Sequence, residues 1–292
     1  MSSTSLPLVS VIVPVYDDPR LVHCLDALSR QTYPRDRFEV VVVDNGPTDT
    51  AAAADFPGVS VCHEPKRGSY AARNLGIRTA KGEVLAFTDA DCIPVEGWLQ
   101  AGVDRLRGEG SADVVGGEVT IFARDQERPT SAELWERVWG FPQRDFVEVK
   151  HFVATANLFA PKRVFDAVGP FNPDMMSGGD VEWGERAHRA GMKLVFSPEA
   201  CVLHPARQRL GDLLRKYRRT CGGQYQLRRL QGQGHGKTVA KLIRRPVRRL
   251  FDPTLGMPPV QKLRYTGVES LISAVQLLEM GRLACGGKPR RD

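Results

Sequence analysis

The stretch from Glu83 to Pro94, E-V-L-A-F-T-D-A-D-C-I-P, limits what this chain can fold into more than any other. Val84, Leu85, Ala86 and Phe87 form an apolar run behind Lys81-Gly82, and the run reads as a buried strand. Asp89 and Asp91 follow at once, separated only by Ala90. In an α/β sheet the carboxyl ends of the strands face the ligand crevice. Two acids spaced i, i+2 just past such an end can turn toward one divalent cation, and hard oxygen ligands of this kind suit Mg²⁺ or Mn²⁺ bridging phosphates. A polar turn capping the next helix has the same composition, so the pair takes its meaning from its neighbours.

Similar punctuation recurs upstream. Leu8 to Val15 is a first, central strand, and Tyr16-Asp17-Asp18-Pro19 turns it into a helix from about Arg20 to Gln31. That first turn lacks the glycines a dinucleotide-binding Rossmann domain needs, which excludes that class. Phe38 to Val43 is a second strand; it ends in Asp44-Asn45-Gly46-Pro47-Thr48-Asp49, where Asp44 can accept hydrogen bonds from a nucleobase or ribose. Thr48 or Asp49 is the expected N-cap of an alanine-rich helix. A third strand, Val59 to His63, leads into Lys66-Arg67-Gly68-Ser69-Tyr70-Ala71-Ala72-Arg73. Gly68 allows an open backbone, Ser69 starts a helix whose N–H groups can face phosphate, and Arg67 and Arg73 bring the charge a diphosphate needs.

The ordered series strand-P-V-Y, V-D-N-G-P-T-D, K-R-G-S-Y-A-A-R-N-L-G-I and F-T-D-A-D resembles the family-2 nucleotide-sugar glycosyltransferases of GT-A fold. The resemblance covers roughly residues 8 to 205. It implies an open, twisted, Rossmann-like mixed sheet flanked by helices, in which Asp44 receives the base, usually uracil. It implies further that Pro14 and Tyr16 frame the nucleotide, and that Asp89 and Asp91 serve ribose and metal-diphosphate. The family usually carries a second acid and a Ser where this chain has Asn45 and Pro47.

The second half carries the acceptor side. Ala112 to Ile121 reads as a strand whose Gly116-Gly117 permits close backbone approach. Glu133 to Phe141 is a helix or a flap, and its Trp135 and Trp139 read as packing before sugar platforms. Phe152 to Phe159 is apolar and extended, with Asn157 the side chain expected in the cleft, and Pro161 opens a helix that Gly169 closes. In S-G-G-D-V-E, Asp180 begins a helix with Glu182 in its first turn. The family motif there is commonly G-E-D followed by x-[DE]. Asp180 therefore matches the catalytic base, with Glu182 as second candidate, although Gly179 replaces the usual Glu. Lys193 to Phe196 and Ala200 to Leu203 read as two short strands before His204, which in similar transferases can complete the coordination of the metal.

Charge separates the two ends of the chain. The net charge is +7, yet residues 205–250 hold fourteen Lys and Arg against one acid, Asp212, so the rest is net acidic by about six. The expected division is a catalytic domain over 1–205 (nucleotide-sugar half about 1–111, acceptor half about 112–205) and a helical, basic extension over 206–292. Leu210, Leu213, Leu214, Tyr217 and Cys221 make a basic amphipathic helix that can dock on the catalytic domain, lie on an anionic membrane or grip nucleic acid. No recognition module supports nucleic acid. Val260 to Leu283 is a second helix with Val268, Leu271, Ile272, Val275 and Leu278 on one face. Six scattered cysteines, no C-x-x-C, no signal-like start and no run of some 18 apolar residues point to a reduced, cytoplasmic protein, peripheral on the inner face of the membrane at most.

Two near-motifs fail. Gly232 to Thr238 is one residue short of a Walker A loop, and Gln226 to Leu230 lacks the Trp of the processive synthases' Q-x-x-R-W. The sequence thus predicts a metal-dependent (Mn²⁺ or Mg²⁺), inverting transfer of one sugar from a nucleoside-diphosphate donor, UDP-linked, to a hydroxyl of a lipid-linked or cell-envelope glycan. The alternatives are a non-catalytic sugar-binding GT-A scaffold and a haloacid-type phosphotransferase, whose D-x-D normally lies near the N-terminus.

Overall fold

The computed structural model describes residues 6–47, 53, 55–108 and 110–290; the expected cap at Thr48 or Asp49 and its alanine-rich helix lie outside them. In chain order the elements are β1 (Val9–Val15), α1 (Leu21–Ser29), β2 (Phe38–Asp44), β3 (Val59–His63), α2 (Ser69–Thr79), β4 (Val84–Thr88), β5 (Ile93–Pro94) and α3 (Trp98–Arg107). These are followed by β6 (Val114–Phe122), α4 (Ser131–Trp139), α5 (Gln143–Glu148), β7 (Asn157–Pro161), α6 (Lys162–Val168), α7 (Gly179–Arg189) and β8 (Leu194–Pro205). Three long helices end the chain: α8 (Leu210–Leu230), α9 (Gly236–Leu250) and α10 (Pro259–Ala284).

The strands form one eight-stranded sheet in the order β3-β2-β1-β4-β7-β6-β8-β5. β1 pairs in parallel with β2 and β4, and β2 with β3, whereas β7 runs antiparallel to β4 and β6. The sheet is therefore mixed. β1, β2 and β4 are buried along their whole length apart from Glu39, which explains their near-continuous Val, Ile and Leu. Val11, Val13, Val40, Val42 and Ala86 share one core with Trp98, Leu99 and Phe159. Gly117 is required by a close approach, since a Cβ there would lie 2.0 Å from the Ala200 carbonyl oxygen. The two short strands expected around Lys193 and Ala200 are one continuous β8. Ser197-Pro198-Glu199 looks like a break in sequence, but it carries on as strand.

The chain divides into two compact units. The first is Met1–Thr120, Phe141–Asp174 and Gly179–His204; the second is Ile121–Gly140, Met175–Gly178 and Pro205–Asp292. A boundary at 205 therefore misses α4, which packs with α8 and α10 around Trp135, Leu213, Tyr265 and Ile272. Thr130 and Glu133 close a capping box at its start, so α4 is a well-terminated helix rather than a flap. In α10 the buried stripe is Tyr265, Val268, Glu269, Ile272, Gln276, Glu279, Met280 and Leu283. The apolar face expected there holds at Val268 and Ile272, which are buried, and is corrected at Leu271 and Leu278, 47% and 75% exposed, because Glu269, Gln276 and Glu279 occupy the inner face. Glu269, fully buried, accepts the Trp135 indole N–H at 2.8 Å and pairs with Arg245. Among the described residues no helix is long and apolar enough to cross a membrane.

Candidate active site

The first unit gathers most of the expected residues at the carboxyl ends of its parallel strands. Asp44 ends β2 in register with Val15 of β1 and His63 of β3. It is buried; Oδ1 accepts the Gly46 N–H at 2.9 Å, and Oδ2 lies 3.9 Å from His63 Nδ1. Asn45 organises the next loop. Its Nδ2 donates to the carbonyls of Glu64 (2.6 Å) and Lys66 (2.9 Å), and its Oδ1 accepts the Gly68 N–H at 2.7 Å. Gly68, at φ +140°, caps α2 in a conformation that favours glycine, but its N–H is engaged by Asn45 and not open to a phosphate. Pro14 is buried within β1, whereas Tyr16 is 47% exposed and lies under the Arg67 guanidinium, 4.9 Å from ring centroid to Cζ. Arg67 also donates to the Tyr16 hydroxyl.

One face of α2 joins the acidic groups. Arg73 is buried and pairs with Asp89, so its charge balances that carboxylate instead of standing open to solvent. Its Nε–H is buried with no acceptor among the described residues. Tyr70, three residues earlier, donates its hydroxyl to Asp180 Oδ1 at 3.1 Å. Asp180 opens α7, and the same oxygen accepts the Val181 N–H at 3.0 Å. Burial raises the Asp180 carboxyl above the usual range, against the lowering effects of the Val181 N–H, the Arg73 charge and the Tyr70 hydroxyl. Burial and the Asp180 charge push the Tyr70 phenol up, which keeps it a hydrogen-bond donor. Glu182 is held differently: both its oxygens take the Arg186 guanidinium, at 2.8 and 3.0 Å. Arg186 also donates to the carbonyls of Val168 and Pro170, so Glu182 anchors α7 to the loop after α6.

Asp91 meets Arg20 at 3.1 Å and His204 Nε2 at 3.7 Å. Arg20 is itself fixed by Asp18, through Nε at 2.8 Å and Nη2 at 2.6 Å. Burial would raise the Asp18 carboxyl, but the Arg20 hydrogen bonds and charge outweigh it and hold the group low. Ligand atoms of Asp91, Cys92 and His204 lie within 4.8 Å of one another. Burial, reinforced by the charges of Asp89 and Asp91, keeps the Cys92 thiol protonated well above its usual pKa. A hard divalent ion fits the Asp91 oxygen and the His204 nitrogen, and does not fit a protonated thiol.

Asn157 is corrected. It is fully buried, donating to the carbonyls of Glu118 and Ala200 (both 2.8 Å) and accepting the Trp98 indole N–H at 2.9 Å. It ties strands together and does not face a cleft. Sequence reasoning missed Tyr70, Arg20 and Asn45 as organisers. The i, i+3 spacing of Tyr70 and Arg73 was a usable signal, because it places both on one helix face. Nothing in the sequence links Arg20 to Asp91.

A family-wide sequence model described as Glycosyl transferase family 2 matches residues 10–168, more than half of the chain. The chain belongs to glycosyl transferase family 2. Among curated relatives, this glycosyltransferase is 39% identical over 235 residues to Glycosyltransferase AglE of Haloferax volcanii, covering 78% of this chain and 76% of the relative. It is 28% identical over 217 residues to the pre-mycofactocin glycosyltransferase of Mycobacterium tuberculosis, covering 70% of this chain but only 44% of that one. Solved structures share the GT-A fold. The mannosyltransferase PcManGT of Pyrobaculum calidifontis, solved with GDP-Man and Mn²⁺, superposes with a TM-score of 0.55 at 20% identity, over 98% of this chain and 77% of that one. GalNAc-T7, solved with UDP, GalNAc and Mn²⁺, gives 0.54 at 20% identity, over 70% of this glycosyltransferase and 45% of that chain. The family match removes the haloacid-type alternative and makes the protein a glycosyltransferase enzyme.

Proposed function

We propose that this glycosyltransferase moves one sugar, with inversion, from a nucleoside-diphosphate sugar to an acceptor hydroxyl, with Asp180 as base. The observation that carries the reading is the α2 face on which Tyr70 holds Asp180 and Arg73 holds Asp89. It couples the base to the strand end that bears the D-x-D pair. Asp180 takes the proton of the acceptor hydroxyl while that oxygen attacks the anomeric carbon. The bond from that carbon to the diphosphate breaks on the opposite face, and the diphosphate leaves with the electron pair. A carboxyl raised by burial is a stronger base than an ordinary aspartate, and Glu182, clamped by Arg186, is the weaker candidate.

Asp44 receives the base, Tyr16 and Arg67 form the exposed edge of the nucleotide site, and Pro14, Gly68 and Arg73 shape it from behind. Asp91 and His204 would hold Mn²⁺ or Mg²⁺, with Asp89 the further carboxylate of the motif. When bound, such an ion supplies positive charge against the departing diphosphate. The donor is a UDP-sugar and the acceptor a lipid-linked or cell-envelope glycan, with the basic segment 207–250 resting on an anionic membrane surface. Structural neighbours bound to GDP-Man with Mn²⁺ and to UDP with Mn²⁺ support the nucleotide and metal parts of this reading.

The test is thermal stabilisation of the purified chain by UDP and GDP, each with and without Mn²⁺, followed by turnover of the matching sugar donors. A ligand that binds only the folded state raises the melting temperature by mass action. UDP with Mn²⁺ is expected to give the largest shift; a larger shift with GDP would reassign the base. No turnover across both donor classes, with binding retained, would favour the scaffold alternative.

A further inference from the structure

The second unit contains a cationic pocket that the transferase chemistry does not use. A cavity of about 400 Å³ is lined by Trp139 at the end of α4 and by Lys241, Arg244, Arg245, Arg248 and Arg249 of α9. Two of the five cations are balanced inside the unit: Arg245 pairs with the buried Glu269, and Arg249 with Asp252 at 2.9 Å. Both guanidiniums also lie against the Trp139 ring, 5.5 and 5.3 Å from its centroid. Trp139 in turn stacks on the buried Trp135, with 5.8 Å between ring centroids. This wall of the pocket is therefore fixed and charge-neutral. Lys241, Arg244 and Arg248, exposed at the mouth, have no acidic partner among the described residues. Three unbalanced positive charges converging on one cavity call for a polyanion.

The rest of the exposed surface of α9 says where that anion comes from. Ile243 is 60% and Val247 61% exposed, and Leu250 and Phe251 continue the same stripe. These positions follow the i, i+4, i+7 spacing of one helix face. A neighbouring flank of the helix is occupied: Leu242 packs with Cys221 and Met280. The water-facing part of α9 therefore shows an apolar stripe beside a cationic mouth. That is the arrangement of a helix lying in a bilayer interface, with apolar side chains among acyl chains and cations at the headgroups.

We propose that this pocket binds the phosphate group of an anionic lipid headgroup, seated between Lys241, Arg244 and Arg248, while Ile243 and Val247 enter the interface. The proposal rests on the membrane-facing reading of the basic segment and narrows it to one site on α9.

Co-sedimentation of the full chain with vesicles tests it. Wild type is expected to pellet with phosphatidylcholine vesicles containing phosphatidic acid and to stay in solution with phosphatidylcholine alone. Near an anionic leaflet each Lys or Arg contributes about 1 kcal/mol, so K241Q/R244Q/R248Q should weaken binding on the order of 100-fold. I243S/V247S should also reduce it. All of these side chains are exposed, so the UDP-dependent rise in melting temperature should be unchanged in both variants and report that they fold. R209Q/R215Q/R229Q removes the same charge from exposed positions on or beside α8 and is expected to bind nearly as wild type. An equal loss in that control would overturn the pocket while leaving the segment membrane-facing. Wild type that ignores anionic vesicles would overturn both. Stabilisation by glycerol 3-phosphate without vesicle binding would overturn the lipid assignment and make the site one for soluble phosphate esters.

Discussion

Tyr70 and Arg73 stand one helical turn apart on α2, and each holds a carboxylate from a different part of the chain, Asp180 and Asp89. Much of the proposed chemistry depends on that turn of helix, so it can be tested through the pH response of the base. A base works when ionised, and burial raises Asp180, so activity should fall on the acid side at a pH above the ordinary aspartate value of about 3.9. The Tyr70 hydroxyl favours the ionised form. Tyr70→Phe should move the acid limb of the kcat/KM profile to higher pH, whereas Asp180→Asn should keep nucleotide binding and lose turnover. A limb that stays in place in Tyr70→Phe, or turnover retained in Asp180→Asn, would remove this assignment.

The metal assignment separates three neighbouring side chains. Asp91→Asn and His204→Ala should abolish the extra nucleotide stabilisation produced by Mn²⁺, because both offer the oxygen and nitrogen donors such an ion accepts. Cys92→Ala should retain it, since the thiol stays protonated. Melting curves with UDP, with and without Mn²⁺, distinguish these outcomes.

Asn157 is expected to matter for stability and not for the donor. Asn157→Ala leaves the Glu118 and Ala200 carbonyls and the Trp98 indole N–H without their partner, a loss on the order of 3 kcal/mol for buried groups. Urea unfolding should show that loss, and the UDP affinity of the folded protein should not change. Full stability with weakened UDP binding would return Asn157 to the nucleotide site.

Glu136 gives the second unit a defined acid sensitivity. Burial opposes its charge, yet Lys216 and Arg207, at 2.8 and 2.9 Å, hold its pKa down to about 2. The folded value is below the unfolded one, so the stabilisation is complete above roughly pH 4.5 and disappears as the pH falls toward 2. Glu136→Gln should lower stability at neutral pH and flatten the decline between pH 5 and roughly 3. Urea midpoints across that range provide the check, and a decline unchanged by the substitution would place the acid sensitivity elsewhere.

The parallel strands were legible because a strand buried on both faces must be written in Val, Ile, Leu and Phe, and acidic turns mark where it ends. Asp44, Asp89 and Asp91 are readable at strand ends for that reason, whereas His204 and Asp180 are readable only through the resemblance to similar transferases. Three kinds of feature were not legible. The break suggested by Ser197-Pro198-Glu199 is only local chemistry, and a strand at this place in the sheet carries it. The roles of Asn157 and Gly68 depend on partners far away in sequence, Trp98 and Ala200 for one and Asn45 for the other. The inner face of α10 was misread because hydrophobic periodicity assumes an apolar interior, whereas Glu269 is buried by virtue of its bonds to Trp135 and Arg245.

The interleaving of the two units has a practical consequence for anyone dissecting this enzyme. α4 lies between stretches of the sheet-bearing unit in the sequence, yet its hydrophobic side is completed by helices that come after residue 205. Truncation at that residue would strip Trp135 of Tyr265 and Leu213 and leave Glu136 without Lys216 and Arg207. A shortened protein of that kind should be sticky and short-lived, so the tail belongs in any preparation meant for assay.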